Sequence, residues 1–119
     1  ISACLVGSEM CIRDSAMAVR HAWEVSEGVT VIVTENGIAT GDDTQRIRYT
    51  DAALRGLADT IDEGIDVRGY LHWTLLDNFE WGHWAPTFGL IAVDRETFVR
   101  TPKPSLGWLG EVAKRNGLG

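Results

Sequence analysis

The stretch Val29-Thr30-Val31-Ile32-Val33-Thr34-Glu35-Asn36-Gly37 sets the fold class. Six residues in a row, from Val29 to Thr34, are β-branched and show no polar alternation. Such a run predicts a strand covered on both faces, as in a parallel sheet. It ends at Glu35-Asn36-Gly37. Upstream, from Ala16, Val19, Ala22 and Trp23 form a helical i, i+3, i+4 stripe that Gly28 stops. Downstream, Ile38–Ile47 is rich in Gly, Asp and Thr and reads as a loop. Leu54, Leu57, Ala58 and Ile61 then mark an amphipathic helix, capped by Thr50 and stopped at Gly64. A second strand places Val67, Gly69, Leu71 and Trp73 on one side and Arg68, Tyr70 and His72 on the other. Strand, helix and strand in this order make a βαβ unit, which requires parallel strands.

Beyond Trp73 runs a long aromatic loop. Phe88–Val93 and Thr97–Arg100 are expected to form a hairpin around Asp94-Arg95-Glu96. A last helix opens at Pro104, carries the stripe Leu106, Leu109, Val112 and Ala113, and ends at Gly117. Two parallel strands alone are not a stable sheet. The pattern is therefore α/β and reads as roughly a quarter of a larger fold, with a (β/α)₈ TIM barrel fitting best.

Composition narrows the function. The chain has 119 residues, 11 basic and 17 acidic, for a formal charge of −6, and 45% of its residues are hydrophobic. A negative chain is poorly suited to a nucleic-acid groove or an anionic membrane, so neither is expected as a partner. No run of eighteen apolar residues occurs, so a spanning helix is not expected. No basic-then-apolar targeting pattern opens the chain, and a cytoplasmic location is the expectation. Cys4 and Cys11 lack metal or CxxC spacing and read as free thiols. Residues 1–15 have no clean period, and "CLVGSEMCIRDS" resembles translated sequencing-adapter read-through. We therefore expect a non-native leader over 1–15 and a native segment over 16–119. Re-sequencing across codon 16 tests this boundary.

Chemistry concentrates at the strand ends. Glu35 closes the first strand, at the rim where a barrel carries its active site. An ordinary solvated glutamate is the competing reading. Five tryptophans occur, and Trp73, Trp81 and Trp84 fall within twelve residues. An indole face stacks on the C–H patches of a pyranose, and a carboxylate accepts paired hydroxyl bonds. A tryptophan-rich core plug is the alternative. His21, His72 and His83 lack metal spacing and read as core or surface residues. Asp42 and Asp43 read as loop solvation, Arg95, Arg100 and Lys103 as packing or surface charge, and Trp108 as core.

Four blocks raise the specificity: "VTENG" at 33–37, "GYLHWTLLDNFEW" at 69–81, "FGLIAVD" at 88–94 and "RTPKPS" at 100–105. In this order and spacing they resemble family 1 glycoside hydrolases, the β-glucosidase family, with bacterial members the nearest in look. The resemblance spans about Ala16 to Gly119. It implies the last two βα units of a (β/α)₈ barrel and a retaining mechanism with two carboxyl groups. It implies that Glu35 is the catalytic nucleophile and that Trp73 floors the glycone subsite, followed by a cis peptide bond to Thr74. Glu80 would grip the 4- and 6-hydroxyls, Trp81 would donate to the 3-hydroxyl, and Phe88 would wall the subsite. Glu80 also disfavours a 6-phosphoglycoside, because its charge repels a phosphate dianion. The stretch Gly82–Thr87 departs from the commoner Gly-Tyr-containing version. The implied substrate is a β-glucoside or oligosaccharide, with no cofactor and no metal. The family's acid/base lies in an Asn-Glu-Pro motif, which this sequence lacks. The chain alone is thus expected to be inactive. Two other readings are a sugar-binding pseudoenzyme that keeps the Trp platform and a structural α/β domain in which the tryptophans are core.

Overall fold

The computed structural model describes the backbone of residues 9–119 and the side chains of residues 15–119. The expected thiols of Cys4 and Cys11, and most of the expected leader over 1–15, lie outside them. The boundary at 15/16 falls inside the first helix, α1 (Glu9–Val25). The remaining elements are β1 (Val31–Asn36), α2 (Asp43–Asp62), β2 (Val67–His72), β3 (Ile91–Val93), β4 (Arg100–Pro102) and α3 (Pro104–Arg115).

β1 and β2 pair in parallel, and β3 and β4 form an antiparallel hairpin. The expected βαβ unit is present, and so is a hairpin after it, but its strands are Ile91–Val93 and Arg100–Pro102 in place of Phe88–Val93 and Thr97–Arg100, because Thr97 is held in the turn, its N–H and hydroxyl donating to Asp94. α1 and α2 pack on one face of the parallel pair. Val19, Leu57 and Ile65 are buried there, with Trp23, Val33, Val67 and Tyr70 packed against them. α1 stops where expected: Gly28 adopts φ +89° and its N–H donates to the Trp23 carbonyl at 3.0 Å.

Several expectations are corrected. The first strand begins two residues late and includes Glu35, because pairing starts only where Val31 N–H meets the Asp66 carbonyl at 2.9 Å. Only one of its faces is covered: Ile32 is 55% and Leu71 57% exposed on the face opposite the helices. The stretch expected as loop to Ile47 is already helical from Asp43. Asp42 caps that helix, its carboxylate accepting from Thr44 N–H at 2.9 Å. Thr50, the expected cap, is a buried residue within α2. The first turn of α2 is polar, so an apolar stripe gave no sign of it. The last helix ends one residue early, on Asn116 in the left-handed conformation at φ 50°.

The faces of β2 are also not those expected. Val67 pairs with Val31, but Gly69 pairs with Ile32, so β2 carries an extra residue at Arg68. Such a bulge reverses the alternation beyond it. Val67 and Tyr70 consequently share the helix-covered face, and Leu71 lies on the open one.

The open face sets a test. An apolar face and two unpaired strand edges invite association. The isolated 13.1 kDa chain is expected to sediment as species that grow with concentration. A sharp monomer with protected β1 and β2 amides would contradict this.

Candidate active site

The two strands deliver Glu35 and Trp73 to one place. Val33 pairs with Tyr70, and the next partners are Asn36 and His72. β1 thus advances three residues while β2 advances two, so an extra residue sits at Thr34-Glu35. Val31 and Val33 face the helices. Without the bulge, Glu35 would follow them and be buried against α2. With it, Asn36 takes the helix side, where its side-chain N–H donates to Tyr49 Oη of α2 at 3.2 Å. Glu35 leaves from the opposite face and is exposed. On β2, Tyr70 faces the helices, so alternation returns Trp73 to the open face. Trp73 N–H donates to the Asn36 carbonyl at 2.8 Å, which joins the two strand ends directly.

The aromatic loop folds back over this rim. The Trp73–Thr74 peptide is cis, as the family resemblance implied. A Cβ on Gly37 would stand 1.8 Å from the Trp73 carbonyl oxygen, so only glycine fits beneath it. The Trp73 indole N–H donates to Glu80 Oε1 at 3.0 Å, and Glu80 is buried. Glu80 and His83 exchange two backbone hydrogen bonds, at 2.9 and 3.1 Å, across a tight turn. Trp81 sits on that turn at φ 47° and is 91% exposed. Phe88 is half-buried, and its carbonyl accepts from Thr74 N–H at 3.4 Å. The third member of the tryptophan cluster is separate. Trp84 meets Phe79 edge-on at 5.2 Å and lies under the Arg95 guanidinium, also at 5.2 Å.

Two half-buried polar groups that the sequence reading left as packing, surface or solvation anchor this loop. Lys103 Nζ donates to both Asp77 oxygens at 3.0 Å and to the Gly89 carbonyl at 2.7 Å. Asp77 Oδ1 also accepts from Gly89 N–H at 2.7 Å. Asp43 pairs with Arg46 and accepts from the Ser105 N–H and hydroxyl at 2.7 and 2.8 Å. It thereby caps α3, whose own N-cap position, Lys103, makes no side-chain cap bond. Burial pushes the Asp43 carboxyl up, but the Ser105 and Arg46 donors outweigh it and hold it below the usual range. Arg46 was not singled out from the sequence, yet it is 1% exposed. Its guanidinium donates to the carbonyls of Thr40 and Thr87, tying the loop before α2 to the loop before Phe88. An arginine on a helical stretch mistaken for loop carried no sequence signal of this.

His72 lies behind the rim. Burial, and then the nearby Arg46 charge, push its pKa down to about 4. Among the described residues no group of three or more His, Cys, Asp or Glu side chains could hold a metal ion. No described helix is long and apolar enough to cross a membrane.

A carboxylate and an indole at the carboxyl ends of two parallel strands, with a buried second carboxylate on the loop that follows, fit one class: a portion of a TIM-barrel glycosidase. The solved structures agree. A β-glucosidase from Thermotoga maritima, in complex with deoxynojirimycin, superposes with a TM-score of 0.89 at 32% identity, covering 100% of this chain and 30% of that one. Thermostable β-glucosidase B of Thermobispora bispora is 44% identical over 99 residues, which are 76% of this chain and 21% of that protein. β-Glucosidase 38 of Oryza sativa subsp. japonica is 40% identical over 107 residues, 82% of this chain and 22% of that protein. The model of glycosyl hydrolase family 1 matches residues 7–118. The chain belongs to glycosyl hydrolase family 1, and it spans about a fifth of the length of the curated relatives it matches.

Two outcomes follow for the full-length protein that contains this chain. Lys103→Met leaves the poorly exposed Asp77 carboxylate without its cation and is expected to lower unfolding stability by about 2–3 kcal/mol in a denaturant titration. A loss below 0.5 kcal/mol, roughly the size of an ordinary surface substitution, would show the pair to be idle. For His72 the sign is set by a folded pKa of about 4 against 6.5. Its contribution is intact above pH 6.5 and is lost as pH falls towards 4, because the unfolded chain takes up the proton first. His72→Val is expected to flatten the stability profile across that window; an unchanged slope would contradict the burial.

Proposed function

We propose that the full-length protein is a retaining β-glucosidase, acting on terminal β-D-glucosyl residues of a glucoside or oligosaccharide. This chain would then supply the last two βα units of the barrel and half of the catalytic pair. The observation that carries the reading is the placement of Glu35 and Trp73 on the same open face of two adjacent parallel strand ends.

Glu35 attacks the anomeric carbon as the bond to the aglycone oxygen breaks, giving a glycosyl ester and the released alcohol. Water then cleaves the ester, with net retention after two inversions. Dividing one hard displacement into two easier ones is the gain of covalent catalysis. Proton transfer to the leaving oxygen, and later from water, needs a second carboxyl group from outside this chain. The chain alone is accordingly inactive.

Trp73 offers its face to the sugar ring. Its N–H already holds one oxygen of Glu80, which fixes that carboxylate and leaves its remaining lone pairs for the sugar's 4- and 6-hydroxyls. The exposed Trp81 N–H is available to the 3-hydroxyl, and Phe88 closes the side of the subsite. The named activities of the relatives, β-glucosidases from bacteria and a plant, support the glucoside assignment.

The test uses the full-length enzyme and an activated aryl β-glucoside. Glu35→Gly is expected to lower kcat by at least roughly 10³-fold. Azide should then restore turnover and yield the α-glycosyl azide, since it attacks once where the carboxylate stood. Near-normal turnover by the variant, or sugar binding with no hydrolysis by the unaltered protein, would overturn the assignment.

A further inference from the structure

The side on which Glu35 leaves β1 depends on one extra residue, and one side chain locks that residue in phase. Asn36 follows the bulge and projects to the helix side. Three groups hold it. Tyr70 Oη donates to Asn36 Oδ1 at 2.9 Å. Asn36 Nδ2 donates to Tyr49 Oη at 3.2 Å. The Asn36 carbonyl accepts from Trp73 N–H at 2.8 Å, with Tyr70 Oη a further 3.4 Å away. A slip that removed the bulge would bring Asn36 to the open face, swing Glu35 against α2 and break all of these bonds together. Burial and the neighbouring Tyr49 raise the Tyr70 pKa, so its hydroxyl stays protonated and remains a donor.

We propose that Tyr70, Asn36 and Tyr49 form a positioning clamp that holds the β1 bulge in phase and so aims the Glu35 carboxylate at the anomeric carbon. This rests on the assignment of Glu35 as nucleophile and goes beyond it. Asn36 is the residue next to Glu35, and Tyr49 and Tyr70 act through its side-chain amide on the helix-covered side. A positioning group of this kind governs the rate of attack more than ground-state binding, because small errors in near-attack geometry cost rate steeply. The reach from Tyr49 in α2 and Tyr70 in β2 also ties the nucleophile to the helix layer, on the side away from the exposed rim.

The test compares the full-length enzyme with its Tyr70→Phe and Asn36→Ala variants and the Tyr70→Phe/Asn36→Ala double variant. The probe is a 2-deoxy-2-fluoro-β-glucoside, whose capture measures the nucleophilic step directly. Tyr70→Phe is expected to slow capture by about tenfold or more, with KM for an aryl glucoside moving less than about threefold. In the Asn36→Ala background the same change should add little, since both variants cut one path. A purely structural role would lower the melting temperature while leaving capture per folded molecule at the unaltered rate, and that result overturns the clamp. Full additivity in the double variant overturns it too, by showing that Tyr70 acts elsewhere. Should Asn36→Ala fail to fold, Tyr49→Phe replaces it in the cycle with the same expectation. If the clamp fails but Glu35→Gly is still inactive and rescued by azide, the nucleophile assignment stands; if Glu35→Gly is active, the assignment itself has failed.

Discussion

A parallel strand with strict alternation cannot bury Val31 and Val33 against a helix and also present residue 35 to the other side. The bulge at Thr34-Glu35 resolves that conflict. It lets a hydrophobic run finish in a carboxylate that points away from the core it has just helped to build. The matching bulge at Arg68 does the same for β2, where Val67 and Tyr70 face the helices and Trp73 does not. Two local insertions therefore set the geometry on which any chemistry here depends. Bulges gather beside active sites for this reason: one residue re-aims a side chain without remodelling the sheet.

The rim is held from below by polar groups that sit within the fold. Asp43, Arg46 and Ser105 connect the starts of α2 and α3 to the loops before them. Asp77 and Lys103 connect the aromatic loop to the end of the hairpin. Most of these groups are satisfied by carbonyls, a hydroxyl or an opposite charge, which is the condition for a charge with little solvent access to be tolerated, while Arg46 Nε has no hydrogen-bond partner. The loop so anchored holds the Trp73 indole against the buried Glu80 carboxylate.

Much of this was legible in the residues. The β-branched run, the amphipathic stripes and Pro104 marked both parallel strands, all three helices and the hairpin, because burial imposes its period on the apolar positions. The motif blocks singled out Glu35, Trp73 and Glu80, of which Trp73 and Glu80 meet in a hydrogen bond. The start of α2 was hidden, since its first turn is made of Asp43, Thr44, Gln45 and Arg46 and holds on by capping and ion pairing. The bulges were hidden as well. An extra residue changes neither composition nor spacing, and it becomes visible only when the partner strand fixes the register. Lys103 read as packing or surface charge and Arg46 gave no signal at all, because a charge announces its burial only through its partners, which lie far along the chain at Asp77 and Thr87.

The most direct measurement is a crystal structure of the full-length enzyme after reaction with a 2-deoxy-2-fluoro-β-glucoside. The account expects continuous density from a Glu35 carboxylate oxygen to the anomeric carbon, with the ring lying on Trp73 and Glu80 within hydrogen-bond distance of its 4- or 6-hydroxyl. An adduct on another residue, or a Glu35 side chain turned towards Tyr49 and α2, would contradict it.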